Sequence, residues 1–327
     1  MIISKTPFRI PLVGGGTDID FYYKNRGGLL ISATINKFIY TMLCKRIDKK
    51  ILIQTTKSEF LDNINEVKYN KGIAYLLKYY RLNKSFQVSI FSNLPTNSGI
   101  GSSSSVFVGL AKSIYEQKSK KMSPEKLAKE IYYIERKLLK NDGGWQDQIM
   151  ASYGGLLKIK INKKGKFFVK KINLKKNIKR KIENNLVLVY SKISRYSSKL
   201  IRNQRINPNK KNIINLYDKL KEKVNDFEKY LIQGNIKEIG RTFDDHWKVK
   251  KKLSKMISNS TLDKIYMNLM KSNNFYGGKI IGAGGGGFFL MAFRNKTKGI
   301  RFLHKNNLSF LNIKFTDSGS EILYKSE

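Results

Sequence analysis

From residue 93 the chain reads NLPTNSGIGSSSS and passes directly into VFVGLAKSIYEQ, an apolar stretch with helical periodicity. Glycines let a backbone close on an anion, and the free N–H groups at a helix start point towards it, so the loop from Gly99 to Ser105 is a natural phosphate cradle. It lacks the Gly-Lys-Ser/Thr ending of a P-loop, whose mechanics therefore do not carry over. Its hydroxyls could also ligate magnesium, which prefers oxygen, keeps several waters and wants a carboxylate. Two carboxylates invite attention: Glu135, beside the apolar stripe of a predicted helix and near its end, and Asp147, on a glycine-flanked loop. The plainer alternatives are a Ser-rich linker and ordinary surface acids.

A second glycine stretch, KIIGAGGGGFFLMAF at 279–293, puts Gly282, Gly284 and Gly287 on the spacing G-x-G-x-x-G of a dinucleotide-binding loop. That fingerprint works only between a strand and a helix whose N-terminus faces a pyrophosphate. The residues that follow, Phe288 to Phe293, form a short aromatic run bounded by Arg294 and Asn295, which reads as a buried strand. The loop is therefore expected to join core strands and not to bind a nicotinamide cofactor.

These segments need elements to hold them. Alternating apolar residues predict strands over 2–13, 29–35, 38–46, 50–55 and 86–92, with a turn through Gly14 to Asp18. Residues 71–80 look helical. Ser123-Pro124-Glu125 opens a helix whose Leu127, Ile131, Ile134 and Leu138 share a buried face. A hairpin is expected over 156–161 and 167–172 around Gly165, a strand over 186–190, and helices over 212–233, 235–255 and 260–272, with Gly234 as a C-cap. The basic stretch LKKNIKRKIENN at 174–185 is the best place for a domain boundary. Strands and helices alternate irregularly, which favours α+β over a doubly wound parallel sheet.

Composition narrows the classes. With 41% apolar residues and 12% aromatics, 327 residues suffice for one large domain or two ordinary ones. No apolar run approaches a bilayer span, and the N-terminus lacks the marks of a signal peptide, so a cytoplasmic location and no membrane partner are expected. One cysteine and two histidines nearly exclude a His/Cys zinc site. Cys44 reads as a small core residue, His246 beside Trp247 as a packing or capping residue, and His304 receives no role. A net charge of +40 would by itself suggest nucleic acid. The lysines, however, are spread along the chain among many Asn, Ile and Tyr, as a drift towards A/T-rich codons would leave them. Either way a positive field favours anionic small substrates.

Three stretches in order, TPFRIPLVGGGTD, PTNSGIGSSSS and KIIGAGGGGFFL, with GGWQDQ between the last two, resemble the motifs of the GHMP small-molecule kinases. Within that superfamily the unbroken Gly14 to Asp18 run, the Gly144 to Gln148 segment, the LVLVYSKISRYSSKL stretch and Gly277-Gly278-Lys279 are most similar to sugar 1-kinases acting on heptose 7-phosphates or L-fucose. The resemblance implies a two-domain α+β fold, a ribosomal-protein-like N-terminal domain over 1–182 and an α/β-sandwich, ferredoxin-like domain over 183–327. It implies ATP and Mg2+ as cofactors, with a small-molecule sugar or sugar phosphate as substrate, and a monomer or homodimer. Asp147 matches the base or anchor for the attacking hydroxyl, and Arg9 the arginine near the transferred phosphoryl. Ser103 and Glu135 match metal ligands, with Gly99, Gly101, Ser102, Ser103 and Ser104 around the ATP phosphates. Gly15, Gly16, Thr17, Asp18, Gly284, Gly285 and Gly286 fall to the substrate, and Arg195 is the candidate for a distal phosphate. Phe8, Pro11 and Lys192 depart from the family pattern, the first two near the expected substrate, and leave its identity open. A hexose 1-kinase and a basic nucleic-acid binder on a related scaffold are the alternatives. The co-occurrence of Asp147, Glu135 and Arg9 argues against the latter, since a pure binder would not need them.

Overall fold

The computed structural model of the chain describes residues 1–95, 98–193, 201–202 and 210–326. The longest pairing joins β1 (Ile2–Val13) to β2 (Gly28–Lys45), antiparallel from Ile2 to Val13. Segments 29–35 and 38–46, expected as separate strands, are one strand, and the interruption at Asn36 and Lys37 is a bulge opposite Pro7 and Phe8. The polar residue there has a partner elsewhere: the Asn36 N–H donates to the Lys314 carbonyl at 2.8 Å, and its Oδ1 accepts from the Lys314 N–H at 2.9 Å. What looks like a strand break in sequence docks the C-terminal segment on the sheet.

From β2 the sheet continues through β5 (Phe86–Ser92), β3 (Ile51–Gln54) and β4 (Glu59–Leu61). Strand β12 (Glu321–Lys325) covers the other side of β1, and the hairpin β6 (Leu156–Ile161) and β7 (Phe167–Lys171) extends from the first half of β2. Helix α1 (Asp20–Arg26) follows the turn after β1, and α2 (Lys71–Tyr79) precedes β5. Against β1 lies α3 (Ser102–Gln117), close enough that a Cβ on Gly109 would stand 2.7 Å from Thr6 Oγ1. Helix α4 (Pro124–Tyr132) opens as expected, with Ser123 Oγ accepting from the Lys126 N–H. It then continues as a π-helical turn, Tyr133–Leu138, before α5 (Gln146–Tyr153).

The basic stretch after the hairpin is α6 (Lys176–Asn185), which runs without a loop into β8 (Leu186–Tyr190). That strand sits between β11 (Phe310–Asn312) and β10 (Phe288–Phe293), with β9 (Phe275–Ile280) beyond, in a second, antiparallel sheet. All six residues of β10 are buried, so the stretch after the glycines is the core strand that its aromatic run predicts. Helices α7 (Lys210–Gln233), α8 (Ile236–Lys251) and α9 (Ser260–Lys271) accompany this sheet. Gly234 ends α7 in a left-handed conformation: its N–H bonds to Leu231 O and that of Asn235 to Tyr230 O, while the Asn235 side chain caps α8. The architecture is α+β, and the two sheets share one apolar core: Ile10, Leu12 and Ile31 from the first pack in the same cluster as Leu188, Phe288 and Leu290 from the second.

Candidate active site

A cleft of about 290 Å³ lies between the start of α3, the turn after β1, the start of α5 and the glycine hairpin of the second sheet. Its floor is the serine loop. Gly99 and Gly101 both adopt positive φ, at 83° and 81°, and Gly101 is the residue from which α3 starts. Ser102 to Ser105, expected in the loop, therefore form the first helical turn, and their N–H groups belong to the helix N-terminus.

Glu135 is nearly inaccessible, and the π-helical turn falls on it. Such turns recur where a side chain must be redirected at a functional position. Ser103 Oγ donates to its Oε1 at 3.1 Å, Ser104 Oγ to its Oε2 at 2.6 Å, and Gln148 Nε2 also reaches Oε2. Ser104 and Gln148 are buried and fasten the carboxylate, whereas Ser103 is exposed and lines the cleft. Among the described residues no three His, Cys, Asp or Glu side chains gather as a metal cluster. A hard divalent cation would here have the Glu135 carboxylate and the Ser103 hydroxyl, an oxygen donor pair that suits magnesium with water and phosphate completing its shell.

Arg9 and Asp147 meet in the middle of the cleft wall. Arg9 Nε donates to Asp147 Oδ1 at 2.7 Å, and Nη2 lies 2.6 Å from the same oxygen. The third nitrogen, Nη1, donates to the carbonyl of Gly99. The arginine side chain is 8% exposed and that of Asp147 26%, so the carboxylate is the member of the pair that opens to the cleft.

Asp18 is held from both sides: Oδ1 accepts from the Gly16 N–H at 3.1 Å and Oδ2 from the Gln146 N–H at 2.9 Å. Burial pushes its pKa up; the Gln146 N–H works against that shift, and the neighbouring Asp147 charge adds to it. Gly144 makes room, since a Cβ there would lie 2.0 Å from Asp18 Oδ2. Gly15 and Gly16 also line the cleft. Thr17 stands behind them, fully buried, its hydroxyl donating to the carbonyls of Gly14 and Leu29 at 2.8 and 2.9 Å, so it holds the turn.

The glycine hairpin differs in detail from the expectation. Gly282 and Ala283 form the cleft wall. Gly284 and Gly286 pack on Ile257 and Ile193, and the Gly285 N–H bonds to Ile257 O. A Cβ on Gly287 would stand 2.1 Å from the Ser98 carbonyl oxygen, so the hairpin seats directly on the serine loop. Arg195 lies outside the described residues. Sequence reasoning did not assign Gln148, nor the basic wall formed by His246, Lys250 and Lys279, all three of which line the cleft. The available signals were the i, i+4 spacing of His246 and Lys250 on a predicted helix and the place of Lys279 and Gln148 inside the glycine-marked stretches.

Comparison with known proteins agrees with this geometry. Residues 68–155 match the family described as GHMP kinases N terminal domain. The chain is 29% identical over 336 residues to a D-glycero-alpha-D-manno-heptose 7-phosphate kinase of Campylobacter jejuni, covering 97% of each protein. It is 26% identical over 233 residues to a mevalonate kinase of Methanocaldococcus jannaschii, covering 70% of this chain and 69% of that one. The crystal structure of a D-glycero-D-manno-heptose 1-phosphate kinase from Bacteroides thetaiotaomicron superposes with a TM-score of 0.82 over 100% of both chains, at 24% identity. With the motif segments of the first sheet and the glycine hairpin of the second converging on one cleft, residues 68–155 match the GHMP kinase N-terminal domain, the whole chain is similar to sugar and mevalonate kinases that share this fold, and the protein is a phosphotransferase with an alcohol group as acceptor.

Proposed function

We propose that this protein transfers the γ-phosphate of ATP to the anomeric hydroxyl of D-glycero-D-manno-heptose 7-phosphate, in the cytoplasm. Residues 1–182 would act as the unit supplying the cradle, Arg9, Asp147 and Glu135, and 183–327 as the unit supplying the glycine hairpin. The observation that carries the reading is the Arg9–Asp147 pair, bonded at 2.7 Å, tied through Gly99 to the serine loop and flanked by Asp18. This arrangement supports a reading in which one carboxylate serves both the acceptor hydroxyl and the terminal phosphate.

In this reading Gly99, Gly101 and the N–H groups of Ser102 to Ser104 hold the nucleotide phosphates. Ser103 and Glu135 would hold magnesium, which would neutralise charge on the phosphate oxygens. Asp18, fixed by two N–H donors, orients sugar hydroxyls beside Gly15 and Gly16. Asp147 accepts the proton of the attacking hydroxyl while its oxygen bonds to the γ-phosphorus, and the bond to the ADP oxygen breaks with its electron pair leaving on ADP. Arg9 places its charge beside the phosphoryl group in flight and keeps Asp147 turned towards the acceptor. The fit of the whole chain to a heptose 7-phosphate kinase supports the heptose reading over a hexose.

The test is an ADP-release assay with magnesium and ATP over paired acceptors, among them heptose 7-phosphate, L-fucose and galactose, with the product located by phosphorus NMR. Turnover of heptose 7-phosphate to a 1,7-bisphosphate is the expected result. Preferential turnover of L-fucose or galactose would replace the heptose reading.

A further inference from the structure

Resting on the reading of the acceptor as a sugar phosphate, we propose that the distal phosphate of the acceptor binds the basic wall made by Lys279, Lys250 and His246. No role for these three residues follows from the family motifs or from the chemistry of transfer above.

The wall is built where a soluble protein would otherwise avoid charge. Lys279 closes β9 just before the glycine turn and is 1% exposed, and Lys250 and His246 lie one turn apart on the same face of α8 at 7% and 3%. All three nevertheless line the cleft. A buried ammonium is costly unless it is paired, and among the described residues no carboxylate forms an ion pair with Lys279. Its Nζ stands over the ring of Phe243, 5.6 Å from the centroid. Lys250 Nζ donates to the carbonyl of Gly282, which fixes it at the rim of the glycine turn. His246 is the second sign: neither ring nitrogen has a hydrogen-bond partner, although both are shielded from solvent. A buried imidazole with two orphaned nitrogens is rare in a finished core and is satisfied when a ligand supplies the missing partner.

Electrostatics agree with the geometry. Burial holds the Lys279 ammonium well below the ordinary lysine range, with Lys250 and then Arg9 adding to the effect. His246 is held well below its ordinary range by burial and then by the charges of Lys279 and Lys250. The charge of Lys250 thus disfavours protonation of both Lys279 and His246, and a dianion placed beside them would relieve that repulsion. The carboxylates of the cleft are otherwise engaged: Asp147 with Arg9, Glu135 with two serines and a glutamine, Asp142 with Arg202, and Asp18 with the N–H groups of Gly16 and Gln146. A phosphate at this wall, with the reacting hydroxyl at Asp147, leaves the sugar ring between them beside Asp18. A neutral hexose would bring no charge to this wall.

The experiment is steady-state kinetics of Lys279→Met, Lys250→Met and His246→Gln against heptose 7-phosphate and unphosphorylated heptose, with magnesium and ATP, after far-UV circular dichroism has established that each variant folds. The lysine variants should raise KM for heptose 7-phosphate about thirtyfold or more, the usual consequence of removing one partner from a buried charge pair, while kcat and the KM for ATP change far less. Preference for the phosphorylated acceptor should collapse with them. His246→Gln, which can still donate, should have a smaller effect in the same direction. An unchanged KM for heptose 7-phosphate, or a loss falling mainly on kcat and equally on both acceptors, would overturn this inference and leave the heptose reading intact. If the protein prefers another sugar phosphate and the lysine variants lose that preference, only the heptose reading falls. If the wild type uses unphosphorylated hexoses alone, both fall together.

Discussion

At the scale of single residues, Arg9 does two things with one guanidinium: it holds Asp147 Oδ1 through Nε and Nη2 and the Gly99 carbonyl through Nη1. The acceptor side and the phosphate side of the cleft therefore share one rigid fork. Asp147→Asn keeps the size of the side chain and an oxygen that can accept from Arg9, but it cannot take up a proton. Turnover should fall about 10²–10⁴-fold, the usual contribution of a positioned general base, with ATP affinity nearly unchanged. Single-turnover kinetics and nucleotide titration check this, and near-normal turnover would remove Asp147 from the chemistry. Arg9, Asp18 and Asp147 were legible in the sequence because each sits inside or beside a glycine-marked segment, and Glu135 because it stands beside the apolar stripe of a predicted helix. Lys250 was not, because in a chain with 64 basic residues nothing local separates a buried lysine from a solvated one, and Lys279, though it stands inside the glycine-marked stretch, was given no role of its own. His246 was expected to pack, and it is buried; its i, i+4 spacing with Lys250 puts the two on one face, but that this face reaches the cleft is a property of the packing of α8 on β9.

At the scale of elements, most strands were readable from alternation, and the helix starts at Ser123 and Asn235 from their caps. The continuity of β2 was hidden because the polar bulge that docks residue 314 resembles a turn. The π-helical turn at Glu135 was hidden too, since one residue of extra winding leaves no pattern in the sequence. Three-residue β4 also escaped notice, yet Glu59 on it organises the approach to α2. Its carboxylate accepts from the N–H groups of Lys68, Tyr69 and Asn70 and from Asn70 Nδ2 at 2.6 to 3.1 Å. Burial pushes its pKa up, but these donors outweigh burial and the net shift is downward. A carboxylate with a lowered folded pKa stabilises the protein above its unfolded pKa of about 4.3 and stops doing so as pH falls through the lowered value. Glu59→Gln should therefore cost about 1–3 kcal/mol near neutral pH and progressively less in acid. Urea titrations of both proteins between neutral and acidic pH measure this, and a difference independent of pH would refute it.

At the scale of the whole molecule, the chain spends its charge unevenly. It carries a net charge of +40, yet the acids Asp18, Glu135, Asp142 and Asp147 all line the same cleft as the basic wall. Among the described residues no helix is long and apolar enough to cross a membrane. The two sheets are joined by a continuous core and, at the cleft, by Gly287 resting on the Ser98 carbonyl with no space for a side chain between them. That seat makes a relay. A loop that tightens around an anion must carry the hairpin behind it, because backbone presses on backbone and no flexible side chain can absorb the shift. Occupancy of the phosphate cradle should then be felt in strands that never touch the nucleotide, as slower hydrogen exchange at the amides of Phe288 to Phe293. Linkage requires the reverse as well, so a Gly287→Ala change that pries hairpin and loop apart should weaken nucleotide binding in the same measure as it frees those amides.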